Sequence, residues 1–165
     1  MKLSRIKLHE FIKAEVPFWC TKLNVAVPTI THGKTSDGAL MWVGRYSGSS
    51  TNFYLEYNVA RIQKECKTYD EVLFVVLHEL GHIFHRALVE YMDEDDAEYI
   101  AERFALRNFK RHFNKERYET IVKKMATEWV NWKPKTKREK DALTWIEEYK
   151  PYKPEDATGV QDSSR

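Results

Sequence analysis

Two cysteines in 165 residues are too few to staple a chain of this size, which excludes a disulfide framework and makes a reducing cytoplasm the expected setting. Long apolar runs are also missing, and none approaches the roughly 20 residues that span a bilayer. The N-terminal stretch Met1-Lys2-Leu3-Ser4-Arg5-Ile6-Lys7-Leu8-His9-Glu10 has charges where a signal peptide needs an apolar segment, so none is expected. No internal repeat is evident. Charge of one sign is scarce, since 27 Lys and Arg face 25 Asp and Glu for a net +2. What is present is 42% hydrophobic, 13% aromatic and 32% charged residues, the make-up of a soluble globular chain with a real core.

The organisation reads as α+β. A helical pattern from Ser4 to about Val16 carries Ile6, Phe11 and Ile12 inward, and Pro17 is expected to end it. Three β-type runs follow, Leu23 to Ile30, Ala39 to Tyr46 and Asn52 to Val59, separated by Gly- and Ser-rich turn chemistry. Short connections favour a small antiparallel sheet. From Thr68 to about Lys150 the pattern is helical. The expected division is a core over 1–113, a helical extension over 114–150 packed on that core, and a disordered tail over 151–165.

Within the helical part, His78-Glu79-Leu80-Gly81-His82 carries the chemistry. Histidines at i and i+4 project from one helix face, close enough to bind one metal ion. Glu79 lies about 100° around the helix, where it can reach a water activated by the metal without ligating the ion. The helix begins at a capping box, Thr68-Tyr69-Asp70-Glu71. Its apolar residues, among them Val72, Leu73, Val76, Leu77, Leu80, Ile83, Phe84, Ala87 and Leu88, fill an arc of roughly 220° and leave His78, His82 and His85 on the remainder. Such a helix is mostly buried, and a random surface pair of histidines is a poor account of it.

The next helix opens at Met92-Asp93-Glu94-Asp95-Asp96, with candidate N-caps and an acidic first turn. Glu98, Ala101, Glu102, Ala105, Leu106, Phe109 and Phe113 then share one inward stripe. Unpaired carboxylates there are costly. A metal removes the difficulty, with Glu98 as third ligand and Glu102 accepting a hydrogen bond from a ligand imidazole. Two histidines, one glutamate and water form a catalytic zinc set. Glu102 in place of Glu98 is an alternative, because both lie on one face.

HExxH with a glutamate on the following helix resembles the gluzincin branch of the zincin metallopeptidases. More closely, His78-Glu79-Leu80-Gly81-His82-Ile83-Phe84-His85 with Glu98-Tyr99-Ile100-Ala101-Glu102-Arg103-Phe104-Ala105 resembles the ImmA/IrrE-like metallopeptidases, over roughly Asp70 to Leu106. Past Ala105 the chain departs from the usual apolar stretch ending in Met-Pro. The lead-in from Tyr57-Asn58 and Tyr69-Asp70-Glu71-Val72-Leu73 is similar to SprT-like proteases, whose third ligand is usually His. The resemblance implies a zincin-like fold with its sheet on the motif helix, and zinc on His78, His82 and Glu98. It also implies Glu79 as general base in peptide-bond hydrolysis, with Tyr91, Tyr99 or His85 as candidates to steady the oxyanion. By the same analogy Asn52 to Val59 forms the edge of the cleft, along which a protein or peptide substrate would lie.

Other ligand sets are weaker. His85, three residues past His82, cannot close a tetrahedron with two ligands of the same straight helix. Cys66 has a parallel in peptide deformylases, but their companion motifs are absent. The remaining helices open at Asn114, running to about Trp132 with Ile121, Met125, Trp129 and Trp132 inward, and at Thr136-Lys137-Arg138-Glu139, with Leu143 and Ile146 inward. Between Arg103 and Lys140, 13 Lys and Arg face four Glu. That excess reads either as solvated helix faces or as a weak nucleic-acid surface including Lys110, Arg111, Lys115, Lys123, Lys124, Lys135, Lys137 and Arg138. The expected function is zinc-dependent endopeptidase; the alternative is a non-catalytic regulatory or nucleic-acid-associated protein with a structural metal site or none.

Overall fold

The structure, a computed structural model, describes residues 3–35, 38–49, 51–86, 92–125 and 133–148. Its elements in chain order are α1 (Arg5–Leu23), β1 (Thr29–His32), β2 (Met41–Arg45), β3 (Phe53–Tyr57), α2 (Val59–Glu65), α3 (Tyr69–Phe84), α4 (Glu94–His112), α5 (Lys115–Met125) and α6 (Lys137–Glu148). The fold is α+β. No helix among the described residues is long and apolar enough to cross a membrane. Ala87, Leu88, Tyr91, Trp129, Trp132 and the expected tail over 151–165 lie outside the described residues.

Pro17 does not end α1, which continues to Leu23. Proline forfeits one backbone hydrogen bond and costs about 3 kcal/mol inside a helix. Here that cost is offset because the buried stripe of Leu8, Ile12 and Val16 carries on through Trp19, Cys20 and Leu23. Thr21 Oγ1 also donates to the Pro17 carbonyl at 3.0 Å, and Trp19 Nε1 to Glu15 Oε2 at 2.9 Å. Asn24, with φ 53°, ends the helix by returning its N–H to the Cys20 and Thr21 carbonyls. The inward stripe also differs from the expected one, since Ile6 is 71% exposed. Leu23 belongs to this helix, so the first strand starts only at Thr29.

The sheet is mixed, not antiparallel. Its order is β1-β3-β2. β2 and β3 pair antiparallel, from Met41↔Tyr57 to Arg45↔Phe53. β1 lies on the other side of β3 and runs parallel to it, from Thr29↔Tyr54 to His32↔Tyr57. The connection over 33–40 is long enough to clear two strand spacings of about 4.8 Å. β3 fills the gap because its alternate residues Phe53, Leu55 and Tyr57 are the ones the core takes up, at 7%, 0% and 0% exposure. The central position leaves β3 without a free edge. β2 has one instead.

A helix unforeseen in the sequence, α2, follows β3 directly. Asn58 caps it, its side chain accepting from the Arg61 amide at 3.1 Å. The capping box of α3 forms as expected, with Glu71 N–H on Thr68 Oγ1 at 3.3 Å. The Glu71 carboxylate reaches one residue further back than the usual box, to the Lys67 amide at 2.6 Å. α3 packs on β2, α1, α4 and α5, and α6 packs on α4. Asn114 and Thr136 cap α5 and α6, accepting from Arg117 N–H at 2.9 Å and Glu139 N–H at 3.2 Å. Ile121 and Ile146 point inward as read.

Candidate metal centre

The site is built where α3 crosses α4. Gly81 makes the close approach possible: a Cβ there would stand 3.1 Å from Ala101 Cα and 3.1 Å from the Phe104 ring. With Gly81 facing Ala101, the polar edge of α3 and the first turns of α4 come together. His78 Nε2 donates to Glu98 Oε2 at 2.9 Å, and His82 Nε2 lies 3.2 Å from Glu98 Oε1. Ligand atoms of His78, His82 and Glu98 all lie within 4.8 Å of one another. Among the described residues no other such group of His, Cys, Asp or Glu exists.

This donor set fits zinc. Tetrahedral ligands at about 2.0–2.1 Å from an ion stand about 3.3 Å apart, and the three ligand atoms, all within 4.8 Å of one another, are near enough to share one. Two imidazoles and one carboxylate are also the donor chemistry of a catalytic site with a position left open. Zinc would be held by His78 and His82 through Nε2 and by Glu98 through a carboxylate oxygen.

The electrostatics follow from the packing. Burial alone would lower the His78 pKa, but the hydrogen bond to Glu98 and the charges of Glu79, Glu98 and Glu102 outweigh it and leave it raised. Burial pushes Glu98 up, yet hydrogen bonds from His78 and His82 hold it well below the usual carboxylate range. Glu79, 8% exposed, is raised by burial against the opposing charges of His78 and His82 and a hydrogen bond from the Val43 amide. A buried carboxylate with a raised pKa is suited to accept a proton near neutrality. Glu102 is 3% exposed, one turn beyond Glu98, and its charge acts on His78.

Glu79, His82 and Glu98 line a cleft of about 820 Å³ whose opposite wall is β2, from Met41 to Arg45. Phe53, Arg86, Met92, Glu94 and Ala97 complete the wall. The cleft edge is therefore β2, not the segment Asn52 to Val59 expected from its place before the motif helix. The hydrogen-bonding pattern gives that edge a direction. Tyr46 N–H donates to Asn52 O, and Asn58 N–H to Leu40 O, so even-numbered residues of this register face β3. The backbone groups of Met41, Val43 and Arg45 point away from β3, and the Val43 amide meets Glu79.

The other candidates fall away from this centre. His85 is fully buried, neither ring nitrogen has a hydrogen-bond partner among the described residues, and burial with the nearby His82 pushes it down to about 3. It packs between the rings of Phe84 and Phe104 at 4.7 and 5.9 Å. Neither it nor the half-buried Tyr99 lines the cleft. Cys66 caps α2 at 2% exposure, its thiol pushed up to about 12 by burial. In the basic C-terminal region Arg107 pairs with Glu147, Lys115 with Glu119, Arg117 with Asp70, Lys124 with Glu71 and Lys137 with Asp141. Five of the 13 basic residues there are thus engaged with acids of their own or another helix.

Compared with known proteins, the chain matches no family model, no curated protein and no solved structure. Val43, Arg45 and Arg86 are the site residues that sequence reasoning missed. None of the three left a local signal, and Arg86 lies past the end of α3, which stops at Phe84 with His85 as its C-cap.

Proposed function

We propose that the chain is a zincin-type metalloendopeptidase in which His78, His82 and Glu98 hold zinc and Glu79 is the general base. The observation that carries the reading is the buried Glu79 carboxylate beside a three-donor cluster, both opening on one cleft. A purely structural metal site gives no reason to keep a fourth, non-ligating carboxylate buried there. The motif resemblance to ImmA/IrrE-like metallopeptidases supports the same conclusion.

A zinc ion in this set would supply Lewis-acid polarisation of water and of the scissile carbonyl. The chain's own residues do the rest. Glu79 takes a proton from the attacking water and delivers it to the leaving amine, so that water is added across the peptide bond. The Val43 amide holds the Glu79 carboxylate in place. The outward backbone groups of Met41 and Arg45 and the Val43 carbonyl offer an extended peptide a strand to pair with, which favours polypeptide over small-molecule substrates.

The test is metal stoichiometry. Purified protein should bind one zinc per chain, His78→Ala and His82→Ala should abolish binding, and Glu98→Gln should weaken it. A chain that takes up no zinc under replete conditions at neutral pH contradicts the proposal. Unchanged affinity in Glu98→Gln would transfer the ligand role to Glu102.

A further inference from the structure

One end of the cleft carries a fixed positive charge. Arg86 lines the cleft with His82 and Glu79 and is partly buried. Its guanidinium stands 5.7 Å from the centroid of the Phe53 ring, which is itself 7% exposed. Arg86 forms no ion pair among the described residues. Arg45 faces Phe53 directly across the β2–β3 pair and lines the same end of the cleft. A guanidinium resting on an aromatic face keeps its planar fork available, and that fork matches a carboxylate.

The register sets the distance from the chemistry. Val43, whose amide meets Glu79, marks the catalytic level of β2. Arg45 is two residues further along the same free edge, which is about 6.8 Å in an antiparallel strand. An extended peptide paired with β2, with its scissile bond beside Glu79, brings a side chain two positions away to Phe53 and Arg86.

We infer that Arg86, seated on Phe53, selects substrates with an aspartate or glutamate two positions from the cleaved bond. The inference rests on the peptidase reading and names the substrate class for that site. Acidic Glu79, Glu94 and Glu98 at other points of the cleft repel such a residue, so the arginine end is the place where it is accepted. Arg86 is thus a specificity-determining residue, acting on the substrate side chain and not on the reacting atoms.

The experiment pairs cleavage with binding. A peptide library is first cut with the zinc-loaded protein. One acidic substrate from it is then compared with its Asp→Asn or Glu→Gln counterpart, in wild type, Arg86→Gln and Arg86→Glu, with melting curves confirming that each variant is folded. Wild type should favour the acidic peptide on the order of tenfold to a hundredfold in kcat/KM. Arg86→Gln should remove that preference by raising KM for the acidic peptide alone, and Arg86→Glu should favour a lysine peptide. Equal turnover of the two peptides by wild type, or a preference that survives Arg86→Gln, overturns the inference and leaves the peptidase reading intact. A loss in kcat shared by all peptides also overturns it, because that marks a role at the reacting carbonyl. If no peptide is cut, fluorescence anisotropy with labelled acidic and neutral library peptides on the Glu79→Gln protein decides the matter. Tighter acidic binding that depends on Arg86 supports the inference even as the peptidase reading fails, and equal binding overturns it.

Discussion

The Val43 amide acts on the Glu79 carboxylate across the cleft that both line, opposing the rise that burial gives its pKa and linking the edge of the sheet to the candidate base. In the β2–β3 register, this amide is one that the ladder leaves free. This contact couples two jobs, since the strand that would receive a peptide also touches the group that would activate water.

Val43→Pro tests the coupling. Proline removes the amide but no ladder hydrogen bond, and an edge strand tolerates it. A hydrogen bond to a charged group is worth about 1.5–3 kcal/mol, so peptide cleavage should fall on the order of tenfold or more while zinc affinity stays unchanged. Isothermal titration with zinc and a cleavage assay measure the two separately. Full turnover in the variant would remove Val43 from the account.

Zinc affinity should weaken from a pH above the ordinary histidine value. Metal binding needs His78 neutral, and its pKa in the metal-free protein is raised above about 6.5 by Glu98, Glu79 and Glu102 against the opposing pull of burial. As pH falls through that raised value, protons hold the site and apparent affinity drops about tenfold per pH unit. Glu102→Gln removes one of the raising charges and should move the onset toward 6.5. An affinity that stays flat from pH 8 to about 6 is incompatible with the cluster described.

His85 gives the fold an acid-sensitive point of opposite sign. Burial depresses its pKa to about 3, against about 6.5 when unfolded. Below pH 6.5 the unfolded chain takes up a proton that the folded chain refuses, so stability is present above that value and is lost as pH falls toward 3. The loss from this residue is on the order of a few kcal/mol. His85→Leu leaves no imidazole to protonate and should flatten the stability profile between pH 6.5 and 4 in urea melts, with zinc stoichiometry intact. An unchanged profile would mean that another group controls acid unfolding.

Gly81→Ala should strain the helix crossing on which the site depends. The added methyl meets backbone at Ala101 and the Phe104 ring at 3.1 Å, and neither is the end of a flexible chain. Overpacking of this kind costs about 1–3 kcal/mol. A lower melting temperature together with weaker zinc binding is expected, because the methyl separates His78 and His82 from Glu98. Stability equal to wild type would show that α3 and α4 can part without consequence.

The parts of this molecule that local chemistry specifies were legible. Thr68, Asn114 and Thr136 cap helices as their spacing implies, and His78, His82 and Glu98 converge because a 3.6-residue period and a small-residue stripe on α4 leave little choice. The opaque parts are those that tertiary packing decides. Pro17 sits inside a helix only because Trp19, Cys20 and Leu23 are buried beyond it. The parallel pairing of β1 depends on which strand the core claims for the centre. That same choice moves the cleft edge from β3 to β2, and a backbone amide such as that of Val43 leaves no mark in the sequence at all.

The most direct test is a comparison of wild type with Glu79→Gln, both loaded with zinc and given unstructured protein substrates at neutral pH. The two proteins should bind zinc with equal stoichiometry and similar affinity, wild type should cut the substrate, and Glu79→Gln should lose at least about a hundredfold in kcat, the range assigned to general base catalysis. Full activity in Glu79→Gln, or no cleavage by zinc-loaded wild type across a broad panel, would contradict the central claim.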